Sequence, residues 1–304
     1  MKNKLPFIVA ILVLAMALSI SLFVGVPTYQ SKFQNKTVVE SKLGILVTIP
    51  PQEQFVKRIG GDKVEVTVLV PAGASPHTYE PTPQQMTKAA GADMYAKVGS
   101  GVEFELSWAG KLAELNPDML IVDSSKGVII LQTGEEDEED EGQHESGDPH
   151  IWNSIKNAKI MVQNVYDGLV QIDPQNTDYY KANLDSYLTE LDSLDKNISS
   201  SLEEKKNNYV MVYHDAWNYL ANDYDLNLIS IETQGKEPTP QGIAALIDQA
   251  KKDNITIIFA SPEFSTQSAE TIANEIGGSV ALVSPLEADY VSNMARVAEA
   301  FAEA

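Results

Sequence analysis

Only four histidines occur in the 304 residues, and cysteine is absent. Thiolate sites, disulfides and iron–sulfur clusters are therefore excluded, which leaves imidazoles and carboxylates as the groups able to hold a metal ion. His77 lies inside Pro71-Ala-Gly-Ala-Ser-Pro-His-Thr-Tyr-Glu-Pro-Thr-Pro83, where four prolines and a glycine leave the backbone few options. His150 also follows a proline, in Asp148-Pro-His-Ile-Trp152. There Asp148 can accept the second imidazole N–H, and Trp152 offers a packing anchor. His214 opens His-Asp-Ala-Trp217 directly after the apolar run Tyr209 to Tyr213. It thus stands at the carboxyl end of a strand, where open α/β sheets place their ligands. A lone loop histidine is usually just solvated. Three in such settings point instead to one shared divalent ion. Three neutral imidazoles with a carboxylate suit zinc first, with manganese and nickel disfavoured.

The fourth histidine, His144, belongs to GEEDEEDEGQHESGD over 134–148, which holds nine carboxylates and no base. This run supplies −9 of the chain's formal charge of −21, so about −12 is left for everything else. Self-repulsion and low hydrophobicity keep such a stretch solvated. His144 is expected to be an auxiliary ligand, and the loop a field that raises the local cation concentration. The same net charge excludes a nucleic-acid partner, which would require basic surface.

These residues need elements to position them. Two lysines within Met1 to Lys4 precede Phe7 to Val26, twenty residues without a charge. That pattern predicts a signal peptide or an uncleaved membrane anchor over 1–26, since about 30 Å of helix would span a bilayer core. A linker over 27–42 follows, and the remainder is delivered outside the cytoplasm. From Leu43 onward, strands expected at 43–49, 64–70, 93–98 and 119–123 alternate with single helices, and 128–131 reads as a further short strand. This predicts parallel pairing in a first lobe, 43–153. Long helical segments at 157–172 and from 176 to about 206 fill the linking region, 154–207. Tyr180, Leu184, Tyr187, Leu188, Leu191, Leu194 and Ile198 line one helical stripe there. Strands at 209–213, 226–231, 256–260 and 279–283 make a second lobe, 208–304. The expected class is α/β, with two lobes, each a parallel sheet flanked by helices, joined by one long spine helix.

With these motifs in order, the chain resembles the zinc- and manganese-binding solute receptors of ABC transporters. The likeness is carried by Pro71 to Pro83, Asp148 to Trp152, Tyr213 to Trp217 and Gln241 to Ala260. It implies that His77, His150 and His214 are three ligands for Zn2+, with Mn2+ as the alternative. It also implies a membrane permease as partner, a monomeric receptor, and no enzymatic activity. Two positions depart from the pattern. The family has Glu near the end of the Phe259 strand, where this chain reads Ala260-Ser261-Pro262-Glu263. It has a liganding Asp before Pro-Leu, where this chain has Ser284. Glu287 is the expected replacement, with Asp289 or water as alternatives. Two other function classes compete: a zinc hydrolase, and a surface adhesin that reuses the fold. The hydrolase is disfavoured by the absence of a His-Glu-x-x-His helix, a Gly-x-Ser-x-Gly elbow and a glycine-rich phosphate loop.

Overall fold

The computed structural model describes residues 42–132, 147–232 and 236–304. The leader or anchor, nearly all of the linker, His144 and most of the acidic stretch lie outside the described residues. No helix among the described residues is long and apolar enough to cross a membrane.

The first sheet pairs β1 (Leu43–Val47), β2 (Val64–Val68), β3 (Met94–Lys97) and β4 (Leu120–Asp123) in the order β2-β1-β3-β4, all parallel. β1 and β3 lie inside and are almost wholly apolar, as strands covered on both faces must be. The crossovers carry helices α1 (Pro50–Gly60), α2 (Pro83–Ala89) and α3 (Glu103–Leu115). Prolines in the first turn start α1 and α2, where a missing N–H costs nothing. The short strand expected at 128–131 does not form. Instead, Gln132 makes an isolated antiparallel bridge to Gly147. The segment is too short to pair over more than one residue before the carboxylates begin.

Helices α4 (Ile155–Ile172) and α5 (Thr177–Leu202) then connect the lobes. At 26 residues α5 runs for about 39 Å. Tyr180, Leu184, Tyr187, Leu191, Leu194, Ile198 and Leu202 are its buried face, with spacings of three and four. This stripe packs on α1, on α4 and on the last helix, α9 (Tyr290–Glu303), so one helix is shared by both lobes. The second sheet repeats the first in topology. β5 (Tyr209–Val212), β6 (Asn227–Ser230), β7 (Ile257–Ala260) and β8 (Ser279–Leu282) run parallel in the order β6-β5-β7-β8. Helices α6 (Asn218–Asp223), α7 (Pro240–Lys252) and α8 (Gln267–Ile276) fill its crossovers. The short α6 carries no regular stripe and was not legible in the sequence.

One buried acid holds the first lobe's loop geometry. Glu105, in the first turn of α3, accepts the amide N–H of Val98 at 2.5 Å and of Gly99 at 2.8 Å, together with the Thr48 hydroxyl. Burial pushes its carboxyl above the usual range. Gly99 has φ +90°, and a Cβ there would lie 1.9 Å from the Asp123 carboxylate, so only glycine fits this turn. Glu105→Ala is expected to cost about 2 kcal/mol or more, because two amides beside β3 lose their acceptor. Urea unfolding checks this, and a loss under about 0.5 kcal/mol would show that water replaces the carboxylate.

Candidate metal centre

Each histidine is aimed by a different device. His77 sits in the proline-rich loop between β2 and α2. Gln85 anchors that loop by donating from Nε2 to the Val68 and Leu69 carbonyls, while its Oε1 accepts the Tyr79 hydroxyl and the Thr82 N–H. His150 precedes a single 3-10 turn, Ile151–Asn153, whose side chains reach the second lobe. Trp152 Nε1 donates to the Pro285 carbonyl at 2.8 Å, and Asn153 Nδ2 to the Ala216 carbonyl at 2.8 Å. His214 stands two residues past β5, at the carboxyl end of the central pair of the second sheet.

The three imidazoles converge. One nitrogen from each of His77, His150 and His214 lies within 4.8 Å of the others. Ring centroids are 4.9 Å apart for His150 and His214, 5.4 Å for His77 and His214, and 6.4 Å for His77 and His150. His150 and His214 are buried, while His77 is partly open to solvent. Phe264 and Trp152 wall the group at 4.7 Å from His214 and 5.3 Å from His150.

Behind every imidazole stands a carboxylate. Nδ1 of His77 faces Glu103 Oε1 at 2.8 Å, Nδ1 of His150 faces Asp148 Oδ1 at 2.8 Å, and Nδ1 of His214 faces Glu232 Oε1 at 2.5 Å. An ionised carboxylate can only accept, so in the neutral rings Nδ1 carries the proton and Nε2 presents a lone pair. The hydrogen bond that His77 donates to Glu103, and the charge of Glu103, raise the pKa of His77 against the opposing effect of burial. Burial pushes the Asp148 carboxyl up, but the hydrogen bond and charge of His150, with the Asn218 amide, outweigh it and hold it below the usual carboxylate range. Nε2 of His150 and Nε2 of His214 face each other at 3.1 Å. Two lone pairs at that distance repel unless a cation stands against both. Two nitrogens on a tetrahedral zinc ion would be about 3.3 Å apart, so this pair has a spacing that suits zinc.

The candidate carboxylate ligands do not join this group. Glu287 is exposed and lines a depression with Ser284, Asn293 and Arg296. Asp289 caps α9 by accepting the Ser292 N–H and also accepts from Gln54, which holds its carboxyl below the usual range. Among the described residues, no carboxylate shares the 4.8 Å spacing of the three imidazoles. Glu103 and Glu232 were not singled out from the sequence. Each is remote in the chain from its histidine and carries no local signal.

A family profile for the zinc-uptake complex component A, a periplasmic protein, matches residues 45–304. The high-affinity zinc uptake system protein ZnuA of Bacillus subtilis is 31% identical over 253 residues, covering 81% of this chain and 79% of that protein. The zinc-binding lipoprotein AdcA of Streptococcus pneumoniae is 30% identical over 262 residues, 83% of this chain and 52% of AdcA. The chain thus spans about half the length of that relative. A crystal structure of ZnuA superposes with a TM-score of 0.81 at 40% identity, over 87% of this chain and 99% of that one.

Proposed function

The chain belongs to the zinc-uptake complex component A family, and on that premise we propose that it is an extracytoplasmic receptor that binds zinc and delivers it to the permease of an ABC transporter. Its ligands are Nε2 of His77, His150 and His214. The family is one of transport receptors rather than of enzymes. The observation that carries the reading is the convergence of three lone pairs, each backed by a carboxylate on the far side of its ring. The carboxylates fix the tautomer and offset the charge of the ion. An all-nitrogen first set also favours zinc over manganese, which prefers oxygen.

The test is a zinc titration of chelator-stripped protein against a competing chromophoric chelator, repeated with manganese. One tight zinc per chain is expected, with manganese displaced. A stripped protein that takes up zinc no better than a variant lacking all three histidines would overturn the reading. Delivery is tested separately, by zinc uptake into cells in zinc-limited medium with and without the gene.

Binding should also be pH-dependent. A proton and the metal compete for Nε2 of His77, and the Glu103 carboxylate, hydrogen-bonded at Nδ1, favours the doubly protonated ring. Affinity is therefore expected to fall as pH drops, beginning above the usual imidazole pKa of about 6.5. Glu103→Gln should move the onset to lower pH. An unmoved onset in titrations from pH 8 to 5 would separate Glu103 from proton competition.

A further inference from the structure

Tyr213, the residue before His214, is held at both of its ends by residues that follow β6. Its carbonyl accepts the Glu232 N–H at 2.9 Å, and its hydroxyl donates to Glu237 Oε1 at 2.6 Å. The other oxygen of Glu237, Oε2, accepts the Ser268 hydroxyl at 2.6 Å, from the first turn of α8. Glu237 is exposed, yet hydroxyls take both its oxygens, and those two bonds hold its carboxyl below the usual range. Hydroxyl-to-carboxylate bonds of this length are charge-assisted and roughly twice as strong as neutral ones. Water would satisfy an exposed acid as well, so what these bonds achieve lies in the segments they join.

Those segments support His214 from the second lobe. Glu232 faces Nδ1 of His214 at 2.5 Å. Phe264, in the crossover from β7 to α8, packs 4.7 Å from the His214 ring, 6.1 Å from the Tyr213 ring and 6.2 Å from the His77 ring. Tyr213, His214 and Glu232 are buried, whereas Phe264 is only half-buried. Among the described residues, Glu237 is the only side chain that hydrogen-bonds both the exit of β5 and the first turn of α8. It therefore fastens the end of the crossover that carries Phe264 to the residue that precedes His214.

We propose that Glu237 is a positioning residue for zinc retention: by joining Tyr213 to Ser268 it keeps Glu232 and Phe264 against the His214 ring, and so slows release of the ion. This rests on the zinc-receptor reading. Glu237 does not converge with the three imidazoles, so it acts through Tyr213 and Ser268 and not as a ligand. Without its carboxylate, the start of α8 is no longer tied to Tyr213, and the half-buried Phe264 ring can withdraw from His214. Release responds more than capture, because the site that an incoming ion meets is still present, and changes of this kind act mostly on dissociation.

The test mixes the zinc-loaded full chain with excess chromophoric chelator and reads the release rate. Wild type is compared with Glu237→Ala, Glu237→Gln, Tyr213→Phe and the double variant Tyr213→Phe/Glu237→Ala. Expected in Glu237→Ala is release about tenfold faster, with the association rate and the melting temperature of the zinc-free protein close to wild type. Glu237→Gln should recover part of the loss, since its amide oxygen still accepts a hydroxyl. Tyr213→Phe should also release faster, and the double variant no faster than Glu237→Ala, because both break one chain of bonds. Should Glu237→Ala fail to fold, Ser268→Ala removes a single hydroxyl, and faster release at an unchanged melting temperature is expected of it too. Wild-type release in Glu237→Ala, or in Ser268→Ala where that replaces it, would overturn the proposal. So would faster release matched by an equal fall in zinc-free stability, or rate effects that multiply in the double variant. A wild-type chain that takes up no zinc would instead overturn the receptor reading, and this proposal with it.

Discussion

Zinc affinity is expected to fall by well over tenfold, and the zinc-free protein to lose about 3 kcal/mol of stability, when His214 is replaced by alanine. Two effects combine in this substitution. The site loses one of the nitrogens that meet within 4.8 Å, and a second, Nε2 of His150, loses its neighbour 3.1 Å away. At the same time Glu232, only 4% exposed, loses the imidazole that partners its carboxylate at 2.5 Å. A buried carboxylate stripped of its main donor carries nearly the full cost of desolvation. The two effects separate in a pair of measurements. Chelator competition reads the affinity, and urea unfolding of the stripped protein reads the stability. In wild type, zinc at a thousand times its Kd should add about 4 kcal/mol to stability. That increment should vanish in the variant. A variant that is still stabilised by micromolar zinc would mean the ion is held without His214.

Replacing Asp148 by alanine should reduce zinc affinity by about 10- to 100-fold, although Asp148 is not itself assigned as a ligand. Its Oδ1 accepts both the backbone N–H of His150 at 2.9 Å and the ring Nδ1–H at 2.8 Å. Its Oδ2 accepts from Asn218 at 3.0 Å, and its carbonyl accepts the Tyr219 hydroxyl at 2.9 Å. Asn218 and Tyr219 belong to α6 of the second lobe, so Asp148 ties His150, which precedes α4, to the lobe that bears His214. Without the carboxylate, the ring is free to rotate or to change tautomer, and the lone pair on Nε2 is no longer guaranteed. Asp148→Asn should lie between wild type and alanine, because the amide oxygen still accepts but carries no charge. NMR of the imidazole nitrogens would show a mixture of tautomers at His150 in Asp148→Ala. A single, wild-type tautomer combined with wild-type affinity would remove Asp148 from the orienting role.

Much of this arrangement is local and hence visible in the chain itself. The long helix follows from apolar residues recurring at three and four from Tyr180 to Ile198, and the strands from short apolar runs bounded by glycine, proline and aspartate. His77, His150 and His214 stand out because two follow prolines and the third ends an apolar run. Asp148 could be paired with His150 because only Pro149 separates them. These signals determine the two α/β lobes and the three imidazoles. What they do not determine is which strand lies beside which. Glu232 meets His214 across 18 residues, and Ser284 meets Glu263 across 21. Both contacts exist because parallel sheets bring the ends of β5 to β8 together in the order β6-β5-β7-β8, an order set by crossover packing rather than by any short motif. For the same reason the sequence pointed to Glu287, the nearest acid along the chain from the serine at 284. The fold places Glu263 against that serine, because contact across strand ends depends on sheet order and not on sequence separation.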